Sequence, residues 1–87
     1  MLGEFVGLKV VVDCRSEFVV LGTLVKYDDA FLELKNADLH DLRDTDTGRE
    51  NYVAASVRTG VKRNRKRVLL SRADVVAVAL LADVTEE

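Results

Sequence analysis

Apolar residues change their spacing along this chain, and the changes mark its elements. Leu2, Phe5 and Val6 recur at helical spacing ahead of Gly7, which predicts one short helical turn that needs packing to persist. In residues 9–14 (KVVVDC) three consecutive valines predict a strand, because β-branched side chains are stiff at χ1 and fit a pleated surface. Arg15 and Ser16 supply a turn. Residues 17–28 predict a longer strand with Phe18, Val20, Gly22 and Leu24 on one face and Val19, Leu21, Thr23 and Val25 on the other. Both faces are apolar, so this strand is expected to lie between two layers, with Gly22 as a bend or a close backbone approach. A long strand kinked at a glycine serves both halves of a small, strongly curved barrel.

Asp28, Asp29 and Ala30 form the next turn, with carboxylates placed to accept backbone N–H groups. Residues 31–38 predict a third strand in which Leu32 and Leu34 point one way and Glu33 and Lys35 the other, the alternation of a half-buried antiparallel strand. Leu39 and Leu42 extend the apolar side. Residues 44–51 (DTDTGREN) hold no apolar side chain and predict a loop. Inside it, Thr47 and Glu50 have capping-box spacing, and residues 52–58 (YVAASVR) followed by Gly60 predict a short inserted helix, the alternative being a hairpin extension. Residues 67–71 and 75–80 predict the last two strands, flanking Arg72, Ala73 and Asp74. Ala and Leu in the final segment also suit a helix, but its valine-alanine alternation favours a strand. The acidic tail from Asp83 is expected to fray.

The chain has 87 residues, 48% of them hydrophobic and 32% charged, the balance of a single folded domain with a thin core. Such a core gains from an oligomer interface. Cys14 is the only cysteine, so no internal disulfide is possible, and no leader-like or membrane-length apolar segment is evident. The expected location is cytoplasmic. A net charge of −2 conceals strong segregation: residues 38–50 carry five acids against two arginines, whereas residues 58–72 carry seven of the 13 Lys and Arg and no acid. A phosphate responds to charge within about a Debye length, roughly 8–10 Å, so the local stripe matters more than the total.

The order of elements resembles the Sm-like family. The segment from Gly22 through Leu24, Tyr27, Asp28, Phe31, Leu32 and Leu34 to Lys35 and Asn36 resembles the first Sm motif, in the form found in the bacterial host-factor RNA chaperone. Leu69, Leu70, Ser71, Arg72, Ala73 and Asp74, followed by Val76 and Val78, are similar to the second motif. The resemblance covers the chain apart from residues 41–66, an insertion between the third and fourth strands. It implies a mainly β fold: a short N-terminal helix and a five-stranded, strongly bent antiparallel Sm-like (SH3-like) barrel, with a short helix inserted between strands 3 and 4. It also implies a homo-oligomeric ring in which the last strand pairs with a neighbour's fourth, covering exposed sheet edges.

This sequence departs from the family where function is concerned. Leu32 stands where many members place a uracil-binding asparagine, and leucine offers no hydrogen bond to a base. Ala73 replaces the second motif's glycine, and a Tyr-Lys-His signature is missing. Asp28, Phe31, Arg72 and Asp74 remain as a stacking surface with a cation near the ring opening, expected to bind single-stranded RNA with little base preference. The alternative is a structural or protein-interaction ring that has lost the pocket.

Lys62, Arg63, Arg65, Lys66 and Arg67 put five positive charges in six residues, either a contact to an RNA backbone repeated around a ring or a solvated loop neutralised by the acids at 38–50. Asp44 to Gly48 resembles the start of a calcium loop, but its glycine comes one place early and its twelfth position is Ala55. His40 has no second His or Cys near it and is expected at the surface; Cys14 is expected in the core. Asp28 and Asp29, adjacent in sequence, serve a turn better than an acid-base pair. With one histidine, no nucleophile triad and no glycine-rich phosphate loop, neither an enzyme nor a cofactor is expected.

Overall fold

The structure, a computed structural model, describes residues 1–44 and 48–85. A 3-10 turn at Leu2–Phe5 leads into β1 (Lys9–Cys14), β2 (Phe18–Tyr27) and β3 (Phe31–Asp41); helix α1 (Arg49–Thr59) precedes β4 (Arg65–Ser71) and β5 (Val75–Leu80). The five strands form one antiparallel sheet in the order β4-β3-β2-β1-β5. The fold is therefore the mainly β architecture expected, with the helix between strands 3 and 4.

The two apolar faces of β2 go to two different cores. Val20 and Leu24 pack with Val10, Val12, Leu32, Leu34, Ala37 and Leu70 inside the curved sheet. Val19 and Leu21 pack on the opposite side with Val11, Val53 of α1 and Leu81. The alternation of burial along β1 and β2 thus explains the insertion: without α1 and the Leu81–Asp83 turn, an apolar strip of the outer sheet face would meet water.

Gly22 marks one irregularity of the sheet. The pairing of β2 with β3 passes from Leu21↔Asp38 to Thr23↔Lys35, so two residues of β3 oppose one of β2. This bulge bends the sheet, and Asn36 within it takes a left-handed φ of 50°. A Cβ at Gly22 would lie 3.0 Å from Ala37 Cβ and 3.1 Å from both Ala37 Cα and the Lys35 carbonyl oxygen, so the glycine is there for space.

Several boundaries differ from expectation. β3 runs to Asp41 rather than 38, since Leu39, His40 and Asp41 find partners in Val20, Val19 and Phe18. β4 begins at Arg65 because Ala37 extends its ladder. Helix α1 begins at Arg49, three residues early, where Arg49 donates hydrogen bonds to Asp13 of β1 and ties the helix start to the barrel. Asp44 closes a 3-10 turn, so the segment at 44–51 is not all loop. Thr47, and with it the capping box, lies outside the described residues, as do Thr45 and Asp46 of the calcium-like segment. Gly60 ends the helix at φ 89° as expected, its N–H donating to the Ser56 carbonyl. Fraying does not begin at Asp83, which closes a 3-10 turn with Val84 packed beside buried Leu81; Glu86 and Glu87 lie outside the described residues.

Candidate nucleic-acid interface

The turn between β2 and β3 is set by one carboxylate. Asp28 Oδ1 accepts the backbone N–H groups of Ala30 and Phe31, each at 2.8 Å. Those two bonds, first that from Phe31, hold the Asp28 carboxyl below the usual aspartate range, with a smaller contribution from the charge of Arg72. Arg72 arrives from the 3-10 turn Arg72–Asp74. Its N–H donates to the Ala30 carbonyl at 2.9 Å, and Nη1 donates to the Asp28 carbonyl at 2.7 Å. The guanidinium carbon stands 6.0 Å from the centroid of the Tyr27 ring, at the outer limit of a cation–π contact.

This arrangement leaves two aromatic rings on the surface, Tyr27 at 41% and Phe31 at 45% exposure. They border a cleft of about 290 Å³ lined also by Lys26, Asp28, Glu33, Arg67 and Leu69. Arg67 Nε lies 3.2 Å from a Glu33 oxygen across the cleft floor; the hydrogen bond to Arg67 lowers the Glu33 carboxyl below its ordinary range. Exposed rings beside cations offer stacking to a base and attraction to its phosphate. Leu32, by contrast, is buried in the core, so it presents nothing to a base.

Of the residues expected at the site from sequence, Asp28, Phe31, Arg72 and Arg67 come together here. Asp74 turns elsewhere: its oxygens accept the Ser16 hydroxyl at 2.7 Å and the Ser16 N–H at 3.1 Å, clasping the β1–β2 turn. Cys14 lies beside this clasp, half-buried, its thiol pushed up to about 11 by burial and then by Asp74. Sequence reasoning places Tyr27 in the motif but not in the site; its position directly before Asp28 is the signal that points to it.

The remaining basic residues form a second cluster, and Asn64 in their midst is fastened to β3. Its N–H donates to the Ala37 carbonyl at 2.9 Å, its Oδ1 accepts the Leu39 N–H at 2.9 Å, and Nδ2 donates to the Leu39 carbonyl and to Asp38 Oδ1, each at 3.1 Å. Asp38 is buried, and its other oxygen accepts the Tyr52 hydroxyl from α1. Burial first, and then the Asp38 hydrogen bond, raise the Tyr52 phenol above its ordinary value. His40 stacks on Tyr52 with ring centroids 3.8 Å apart and planes within 7°, so the expected surface histidine is instead half-buried against the helix. Its Nε2 is buried with no hydrogen-bond partner among the described residues. Among the described residues three of the acids at 38–50 are engaged by other groups: Asp38 by Tyr52 and Asn64, Asp41 by Arg43, and Glu50 by Arg49. Among the described residues Lys62, Arg63 and Lys66 make no ion pair, while Arg65 Nη1 donates to the Asn64 carbonyl.

Among the described residues no helix is long and apolar enough to cross a membrane. No protein-family model matches the chain, and no curated protein matches its sequence. Among solved structures, the crystal structure of an Sm-like protein from Archaeoglobus fulgidus superimposes with a TM-score of 0.62, covering 92% of this chain and 88% of that one. The fold is Sm-like. Sequence identity over the match is 21%, so the likeness rests on the path of the backbone. Within this fold, α1 and its clamp of Asp38, Tyr52 and Asn64 hold the insertion packed against the sheet.

Proposed function

We propose that the chain assembles head to tail into a homo-oligomeric ring and that the ring binds single-stranded RNA with little base preference, in the cytoplasm and without catalysis. One observation carries this reading. Among the described residues β4 and β5 are the outer strands of the sheet, each paired on one side only, and each presents an apolar side chain to water: Leu69 at 47% and Val76 at 65% exposure. Pairing β4 of one copy with β5 of the next covers both edges at once, and a repeated heterologous contact of that kind closes into a ring when the rotation fits.

Tyr27, Phe31 and Arg72 supply stacking and a cation, and the cluster at 62–66 supplies a phosphate-attracting field that each added subunit repeats. The likeness to the Archaeoglobus fulgidus protein supports the scaffold for this reading. A ring that serves only as a protein scaffold is the second reading, and the burial of Leu32 favours it.

Titration of a labelled oligouridylate at two salt concentrations separates the two. RNA binding predicts an affinity that falls with a log–log slope of about −0.7 per phosphate neutralised. Absence of binding at low salt leaves the scaffold reading.

A further inference from the structure

We infer that the hollow between the barrel and the chain leaving α1 is a cradle for the phosphodiester backbone of single-stranded RNA, held between Lys9 and Arg63 with Thr23 and Asn36 at its floor. The inference rests on the RNA-binding reading and adds a place and a chemistry to it.

Two concavities meet at this point. One, of about 220 Å³, is lined by Lys9, Gly22, Thr23, Asn36, Gly60, Val61 and Arg63. The other, of about 480 Å³, is lined by Asn36, Arg63, Asn64, Arg65 and Lys66. They share Asn36 and Arg63. Together they gather four cations, a hydroxyl and two amides, and no carboxylate lines either. Elsewhere three arginines are neutralised: Arg43 by Asp41, Arg49 by Asp13, Arg67 by Glu33. Here, among the described residues, Lys9, Arg63 and Lys66 have no ion pair, so like charges crowd a concave surface and an anion relieves them.

The walls are fastened by hydrogen bonds. Gly60 fixes the exit of α1, and the four hydrogen bonds of Asn64 lock the chain onto β3, so Arg63 and Arg65 stand at defined positions on either side of an anchored residue. Asn36, common to both concavities, is held in the left-handed region by the bulge opposite Gly22, a conformation that persists only where its surroundings impose it. Thr23 and Asn36 bring donors from the floor while Lys9 and Arg63 bring charge from opposite elements, a set of directions suited to a tetrahedral phosphate.

The cradle also has an exit toward the aromatic cleft. Lys9 pairs with Thr23, Thr23 with Lys35, and Lys35 with Arg67, so one cross-strand row runs from the cradle to the residue that borders the cleft of Tyr27 and Phe31. No aromatic residue lines the cradle itself, so it holds backbone and leaves base stacking to the cleft.

The test is fluorescence anisotropy of a labelled oligouridylate over a salt series with the full chain, comparing wild type, the double variant Lys9→Gln with Arg63→Gln, and Phe31→Ala, with polyglutamate as competitor. The cradle predicts weaker binding by the double variant and a log–log salt slope shallower by about 1.4, because two phosphates are no longer neutralised. Phe31→Ala weakens binding with the slope unchanged. If wild type binds and the double variant keeps both its affinity and its slope, the cradle is overturned while RNA binding stands. If wild type binds no RNA at low salt, both are overturned. Competition by polyglutamate as effective as by unlabelled RNA of equal charge overturns the phosphate assignment.

Discussion

Gly22 of β2 lies so close to Ala37 of β3 that a Cβ on the glycine would stand 3.0 Å from the alanine Cβ. Ala37 Cα and the Lys35 carbonyl crowd the same point at 3.1 Å, and neither is the end of a flexible side chain. Gly22→Val is therefore expected to destabilise the fold by about 1–3 kcal/mol through overpacking, read as a lower denaturant midpoint with unchanged m-value. A midpoint equal to wild type would mean that the bulge at Asn36 absorbs the added volume.

The clamp between Tyr52 and Asp38 predicts a stability that depends on alkaline pH. In the unfolded chain Tyr52 ionises near its ordinary 10.0, while in the fold burial and Asp38 keep the phenol protonated to higher pH. The stabilisation is whole below pH 10 and is lost as pH rises through the folded value. Tyr52→Phe is expected to cost about 1–3 kcal/mol at neutral pH, because the buried Asp38 loses a donor, and to flatten the decline above pH 10. Parallel pH profiles for the two proteins would contradict the clamp.

Cys14 is expected to react slowly. With its thiol pushed up from 9.0 to about 11, its thiolate at pH 8 is about a hundredfold scarcer than that of a thiol at 9.0. Asp74→Asn removes a repelling charge and is expected to speed alkylation. Rapid labelling of the native chain at pH 8 would refute this account of the β1–β2 clasp.

The two edges of the sheet yield a mixing experiment. Leu69→Lys spoils β4 and spares β5; Val76→Lys does the reverse. In head-to-tail assembly each variant alone is monomeric, and an equimolar mixture stops at a heterodimer of twice 9.7 kDa, since one good β5 edge meets one good β4 edge. A face that pairs with itself gives no such complementation.

Much of the fold was legible because it is written in local patterns. Valine runs marked β1 and β5, the doubly apolar stretch around Gly22 announced a strand between two cores, and Asp28 declared its turn. The rest depended on partners far away in sequence. The last three residues of β3 are strand because Phe18, Val19 and Val20 lie beside them, and α1 starts early because Arg49 reaches Asp13. Nothing local marks Asn64 within the basic run, yet it is the residue that fastens that run to β3 through Asp38 and Leu39. The hollow beneath Arg63 was invisible for the same reason, since its floor at Thr23 and Asn36 is brought there by sheet register.

The most direct test of the central claim is the mass of the native chain in solution, by light scattering at micromolar concentration. Assembly through β4 and β5 predicts one species at a whole multiple of 9.7 kDa, unchanged on tenfold dilution and lost in the Leu69→Lys and Val76→Lys variants. A mass of 9.7 kDa for the wild-type chain would contradict the ring and the RNA surface built on its repetition.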